Sequence, residues 1–140
     1  MQLDFTALQK AAVSLDEAVI NACNHHFIDG LTKSQKKLVI AGVIQNFEFT
    51  YELSWKFIKR WLSENLGRIS VDGVTRRELF RLAAQYQLID DVDEWMFFHQ
   101  ARNQTSHIYD ENVANEVFDV ARQFSSAATG LLRVLQQKND

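Results

Sequence analysis

The stretch Ile44-Gln45-Asn46-Phe47-Glu48-Phe49-Thr50-Tyr51-Glu52-Leu53-Ser54-Trp55-Lys56-Phe57-Ile58 runs on to Trp61-Leu62 without a proline or a glycine. At ~100° per residue its apolar side chains fall on two faces of one helix. One face carries Ile44, Phe47, Tyr51, Trp55, Ile58 and Leu62. The other, roughly opposite, carries Phe49, Leu53, Phe57 and Trp61. A narrow polar strip, Gln45, Glu48, Glu52, Lys56 and Lys59, separates them. A helix that is apolar on two sides has to be covered on both. The expectation is packing inside a bundle on one side and against a second chain on the other, hence a homodimer or higher oligomer.

The helix extends outward to readable ends. Thr32-Lys33-Ser34-Gln35 has the form of a capping box, and Gly67 is a natural stop, so the spacing predicts a helix over about 33–66. Upstream, Phe5, Leu8, Ala12, Leu15, Val19 and Ala22 make a stripe in steps of three and four, which predicts a helix within 4–24. Residues 25–32, with Gly30, read as a turn, and residues 68–74, with Gly73, as a loop. Thr75-Arg76-Arg77-Glu78 gives a second capping box, with Val74 and Leu79 at staple spacing, opening a short helix to about Tyr86. Asp91 and Glu94 can cap a fourth helix with Trp95, Phe98 and Arg102 on one face. The last helix, about 112–137, carries Val113, Val117, Val120, Phe124, Ala128, Leu131 and Leu135. No strand pattern competes. The fold class is all-α, an antiparallel bundle, in a single domain over residues 1–140.

Composition narrows the function. The chain has 140 residues, no Pro and five Gly, few breakers for its length, which favours long helices. No apolar run reaches the ~20 residues that span a bilayer, and Met1-Gln2-Leu3-Asp4-Phe5 lacks a signal-peptide pattern, so a cytoplasmic location is expected with no membrane partner. The lone Cys23 cannot form an intrachain disulfide. A formal charge of −3 excludes a generic polycation for nucleic acid, so any RNA contact must be local or built by an oligomer. There is no Walker loop, no Gly-rich dinucleotide turn and no nucleophile elbow. Asp91-x-Asp93 lacks the Gly-Ser turn of polymerase-like nucleotidyltransferases. No Glu has a His three places on, as di-iron bundles require, and His25-His26 has no companion at ligand spacing. No metal and no cofactor is expected.

Chemistry concentrates in Ala101-Arg102-Asn103-Gln104-Thr105-Ser106-His107-Ile108-Tyr109-Asp110. Arginine offers a fork of donors to a phosphate, histidine trades protons near neutral pH, and tyrosine offers a hydroxyl that can accept a transferred group. Arg102 and His107 lie ~140° apart on a regular helix, so they converge only if the helix ends between them or a second protomer supplies one. The competing structural reading is a helix C-terminus, with Arg and His near the last carbonyls and Tyr109 at the core edge. Glu48 and Glu52 beside Trp55 read as a solvated strip with a Glu52–Lys56 pair, or as a support for the motif helix. His99 reads as a helix-surface residue, or as a supporting partner of Arg102 and Asn103.

Two stretches together resemble a known family. Gln45 through Lys56 is similar to the long-helix signature of the nucleotidyltransferase substrate-binding protein family, a branch of the HEPN superfamily that includes the HepT toxins. Ala101-Arg102-Asn103 through Ser106-His107-Ile108-Tyr109 resembles that family's second signature, and the resemblance covers nearly the whole chain. It implies an up-and-down four-helix bundle with an extra short helix, and a homodimer with two Arg-x4-His motifs facing a shared cleft. It also implies a minimal nucleotidyltransferase, encoded nearby, as partner. In toxin members the motif is a metal-independent endoribonuclease, silenced when the partner attaches AMP to the tyrosine. Carried over, Arg102 stabilises the phosphorane, His107 is the acid and base, Asn103 an auxiliary polar group, and Tyr109 the AMP acceptor. The alternative within the family is a noncatalytic substrate-binding subunit.

Overall fold

The computed structural model describes residues 2–139. Its helices are α1 (Thr6–Ala22), α2 (His25–Ile28), α3 (Lys33–Leu66), α4 (Arg76–Gln85), α5 (Val92–Asn103) and α6 (Glu111–Gln137). Short 3-10 turns, Arg68–Ser70 and Gln104–His107, follow α3 and α5.

Cap chemistry sets the boundaries. Both bonds of the Thr32–Gln35 capping box form, and α3 ends at Gly67, whose φ of 92° and ψ of 148° exclude other residues. Asp91 and Asp110 each accept two backbone N–H groups at the starts of α5 and α6. At Thr75 only half of the expected box forms: its hydroxyl accepts from Glu78 N, while the Glu78 carboxylate pairs with Arg81 at 2.6 Å. The stretch 25–32 is not wholly a turn, because Asn24 caps the single helical turn α2. A short polar cap before two histidines gives no periodic signal to mark it.

The long helices α1, α3, α5 and α6 form an up-and-down bundle, and the short α4 packs on α3 and α5. Cross-links fix the directions. Thr50 Oγ1 donates to Ala11 O, Ser14 to Asn46, and Phe5 packs on Phe57, so α1 and α3 run antiparallel. Tyr51 meets His99 while Glu48 meets Arg102, so α3 and α5 are also antiparallel. Leu3 and Asn139 exchange two hydrogen bonds, which joins the chain ends.

Phe124 of α6 is the centre of the core. It makes edge-on contacts with Phe98 at 4.9 Å, Phe47 at 5.3 Å and Trp95 at 5.5 Å, so α3 and α5 both converge on this ring of α6. Of the first face of α3, Ile44, Phe47, Tyr51, Ile58 and Leu62 are fully buried, while Trp55 is half-buried. The second face does not behave as one surface. Phe57 is covered by Phe5, and Trp61 by Tyr86 and the C-terminal backbone, to which its Nε1 donates at Lys138 O. Phe49 alone of that row is exposed, with Leu53 half-buried. Half of the apolar surplus that suggested a second chain is thus absorbed by this chain's own ends.

Candidate functional site

The site begins with the polar strip of α3. Glu48 and Glu52, one turn apart, share a face with Trp55, and α5 brings Arg102 against them. Arg102 Nε donates to Glu52 Oε1 at 3.1 Å, and Nη1 lies 3.8 Å from Glu48 Oε2. The second oxygen of Glu52 accepts from Trp55 Nε1 at 3.0 Å. Glu52 is therefore held from both sides, and the expected Glu52–Lys56 pair is not among the ion pairs of the described residues. Cross-helix register, invisible to local spacing, gives Glu52 a better partner. The three charged side chains are each about one-third exposed, so the cluster is sheltered yet reachable.

The turn that follows α5 finishes the anchor. Thr105, nearly buried, donates its hydroxyl to Arg102 O at 2.8 Å and accepts from Arg102 Nη1 at 3.1 Å. These bonds engage Nε and Nη1, and among the described residues no hydrogen bond engages Nη2. The helix ends at Asn103 and tightens into the Gln104–His107 turn. The regular helix thus ends between Arg102 and His107, the first of the two conditions under which they could converge. No direct hydrogen bond joins them among the described residues. His107 is exposed, and its ring meets Tyr109 edge-on at 6.1 Å. Tyr109 is 86% exposed, so it is no edge of the core. Asn103 is exposed too. Half-buried Ile108 and the Asp110 cap of α6 pin the segment between them. A cleft of about 450 Å³, lined by Leu38, Ala41, Ile108 and Tyr109 among others, opens between the starts of α3 and α6.

Behind the anchor stands a group that sequence reading placed elsewhere. Arg76, met above only as part of a capping box, lies over the Trp55 ring at 3.7 Å and donates Nη1 to the Tyr51 hydroxyl at 3.1 Å. His99, expected at the surface, is half-buried, with Nδ1 2.8 Å from the same hydroxyl. Burial pushes the Tyr51 phenol up to about 12, against the opposing pull of Arg76. Burial, and then the Arg76 charge, hold His99 below the ordinary histidine value. One sequence signal pointed at Arg76: a cation in the first turn of a helix opposes the macrodipole, which suggests a partner outside the helix. Among the described residues no three His, Cys, Asp or Glu side chains converge as a metal site would need.

Residues 3–137 match the family described as "Nucleotidyltransferase substrate binding protein like". This chain belongs to that family. It is 33% identical over 141 residues to the Haemophilus influenzae protein named "Probable ribonuclease HepT", covering 99% of this chain and 95% of that one. A solved Haemophilus influenzae structure, described as revealing the fold of a substrate binding domain of a nucleotidyltransferase, superposes with a TM-score of 0.91 at 30% identity, over 95% of this chain and 99% of that one. A Thermus thermophilus crystal structure shares the fold at a TM-score of 0.71 and 23% identity, over 91% of this chain and 98% of that one. No helix among the described residues is long and apolar enough to cross a membrane.

Proposed function

We propose that this chain is a cytoplasmic toxin ribonuclease of the HEPN type, paired with a minimal nucleotidyltransferase that silences it by attaching AMP to Tyr109. One observation carries the reading. A guanidinium fixed at the end of α5 is followed, within the next short segment, by an imidazole and a phenol that both face solvent.

The chemistry is internal transesterification. The 2′-oxygen of a bound ribose bonds to the adjacent phosphorus, and the bond to the departing 5′-oxygen breaks. His107 removes the 2′-proton, and an imidazolium returns one to the leaving oxygen. Arg102, through Nη2, offsets the charge that grows on the phosphorane, and Asn103 adds a neutral polar contact. Glu48 and Glu52 orient Arg102 but also oppose its charge, so one copy gives a weak anion site. Two copies facing each other would double the cations and supply separate acid and base. The exposed Phe49 leaves apolar surface on α3 for such a homodimer. No step requires a metal.

AMP on Tyr109 would place bulk and negative charge beside His107, repelling RNA sterically and electrostatically. The name of the Haemophilus relative supports the ribonuclease reading. The description of the solved relative supports a second one, a noncatalytic subunit that presents substrate to the transferase. The decisive experiment incubates the purified chain with RNA in EDTA, then with the neighbouring transferase, ATP and magnesium. Cleavage in EDTA, lost once a mass increment of one AMP maps to Tyr109, is the expected result. Absence of cleavage with an unmodified Tyr109, while the transferase labels another molecule, would establish the second reading instead.

A further inference from the structure

Tyr51 carries a single hydroxyl proton, and Arg76 can only donate. The phenol oxygen therefore accepts from Arg76, and the ring is fully buried, so its own proton needs an acceptor close by. His99 Nδ1, 2.8 Å away, is that acceptor. If Nδ1 instead carried a hydrogen, the buried hydroxyl proton would have no partner, which is costly. The hydrogen-bond chain Arg76 to Tyr51 to His99 thus fixes the imidazole as its Nε2–H tautomer. Protonation of Nδ1 would break the chain. Four groups face this imidazole: Tyr51 and Glu52 from α3, Arg76 from α4 and Arg102 from its own helix. Burial and the two arginines hold the ring below the ordinary histidine value and so favour its neutral form, against the opposing pull of Glu52.

The free edge of the ring matters most. His99 lies three residues before Arg102, so the two share one face of α5. They meet α3 at adjacent positions, Tyr51 and Glu52. Among the described residues nothing engages Nε2. We propose that His99 is a second, neutral donor of the Arg102 site, offering Nε2–H to an anionic phosphoryl oxygen held beside the guanidinium. The inference rests on the reading of Arg102 as a phosphate ligand and adds a donor that is indifferent to pH near neutrality. His107 is left as the proton carrier. A neutral donor also avoids a competing ion pair with Glu52, which would pull Glu52 off Arg102.

The test uses the full chain, isotope-labelled, with uridine 3′-phosphate as probe. Long-range nitrogen–proton spectra, with His99 assigned through His99→Gln, should show the Nε2–H tautomer, with a proton taken up only below the ordinary histidine value. His99→Ala should weaken probe binding about 10-fold or more, while His99→Gln, which keeps an N–H donor, should retain most of it. Tyr51→Phe should raise the pH at which His99 takes up a proton and make probe binding strengthen as pH falls, a change that a merely structural role would not produce. If His99→Ala does not fold, as judged by circular dichroism, the pH dependence of Tyr51→Phe decides. An Nδ1–H tautomer overturns the inference. So does wild-type binding in folded His99→Ala alongside lost binding in Arg102→Ala, a result that leaves the Arg102 reading intact. Failure of the wild type to bind the probe removes both.

Discussion

Arg102 and His107 sit five positions apart in one short stretch, yet their surroundings differ in kind. Arg102 is braced by Glu48 and Glu52 across the α3–α5 seam and by Thr105 below it. Behind that seam, Arg76, Tyr51 and His99 form a second rank of hydrogen bonds. His107 and Tyr109 occupy an exposed segment whose fixed points are Ile108 and the α6 cap. On the proposed reading, the contrast separates two tasks. A group that must hold charge in one place belongs on a packed helix, and groups that exchange protons or meet a second macromolecule belong where both can reach them.

The largest effect should test both sides at once. His107→Ala and Arg102→Ala should each lower RNA cleavage by ~10²-fold or more. Their stabilities should part company in urea. His107→Ala should stay within about 0.5 kcal/mol of wild type, because the side chain is exposed. Arg102→Ala should lose about 1 kcal/mol, because it leaves two carboxylates facing each other without their cation. Equal stability loss in both variants would erase the distinction between the regions.

A smaller effect probes the second rank. Tyr51→Phe removes a buried hydroxyl with two partners and should cost roughly 1–3 kcal/mol in urea. It should also change the alkaline limb. The folded phenol, pushed up to about 12, holds its proton where the unfolded chain has lost it. That contribution is fully present below pH ~10, the unfolded value, and is lost as pH rises from there through about 12. The wild type should therefore lose stability over that window more steeply than Tyr51→Phe. Parallel pH–stability curves would show that the phenol is not sheltered as described.

The smallest effect belongs to the exposed segment. Tyr109→Phe should leave stability within about 0.5 kcal/mol and RNA cleavage within about twofold of wild type, while abolishing AMP labelling by the transferase. A large stability loss would mean that Tyr109 packs in solution against something beyond its own chain.

The sequence legibility of the molecule follows the range of the forces involved. Helix limits were readable because caps are local: Thr32, Thr75, Asp91 and Gly67 act within a few residues of themselves. The core stripes were readable because periodicity is local too. What covers Phe57 and Trp61 was not, since Phe5 and the Lys138 carbonyl arrive from the two ends of the chain. The same limit explains the site. Arg102, His107 and Tyr109 stood out as a cluster in sequence. For Glu52 local spacing offered both a pair with Lys56, one turn along its own helix, and a support for the motif helix, and only the approach of Arg102 from 50 residues away decides between them. Arg76 became visible only when α3, α4 and α5 were brought together around Tyr51, and the same packing decides which of the two readings of His99 holds.

The length of α3 has a consequence for how a ligand meets this site. Its 34 residues make a rod about 50 Å long. Lys33 to Leu38 stand exposed, whereas ten buried side chains are set between Val43 and Leu62. Amide hydrogens of the first turns should exchange with solvent quickly by fraying, and those around Glu48 and Glu52 only when the whole bundle opens. The carboxylates that aim Arg102 are mounted on the most heavily buried stretch of α3. On the proposed reading, an incoming anion meets a guanidinium whose ordering entropy was spent when the chain folded, since Glu48, Glu52 and Thr105 already hold it.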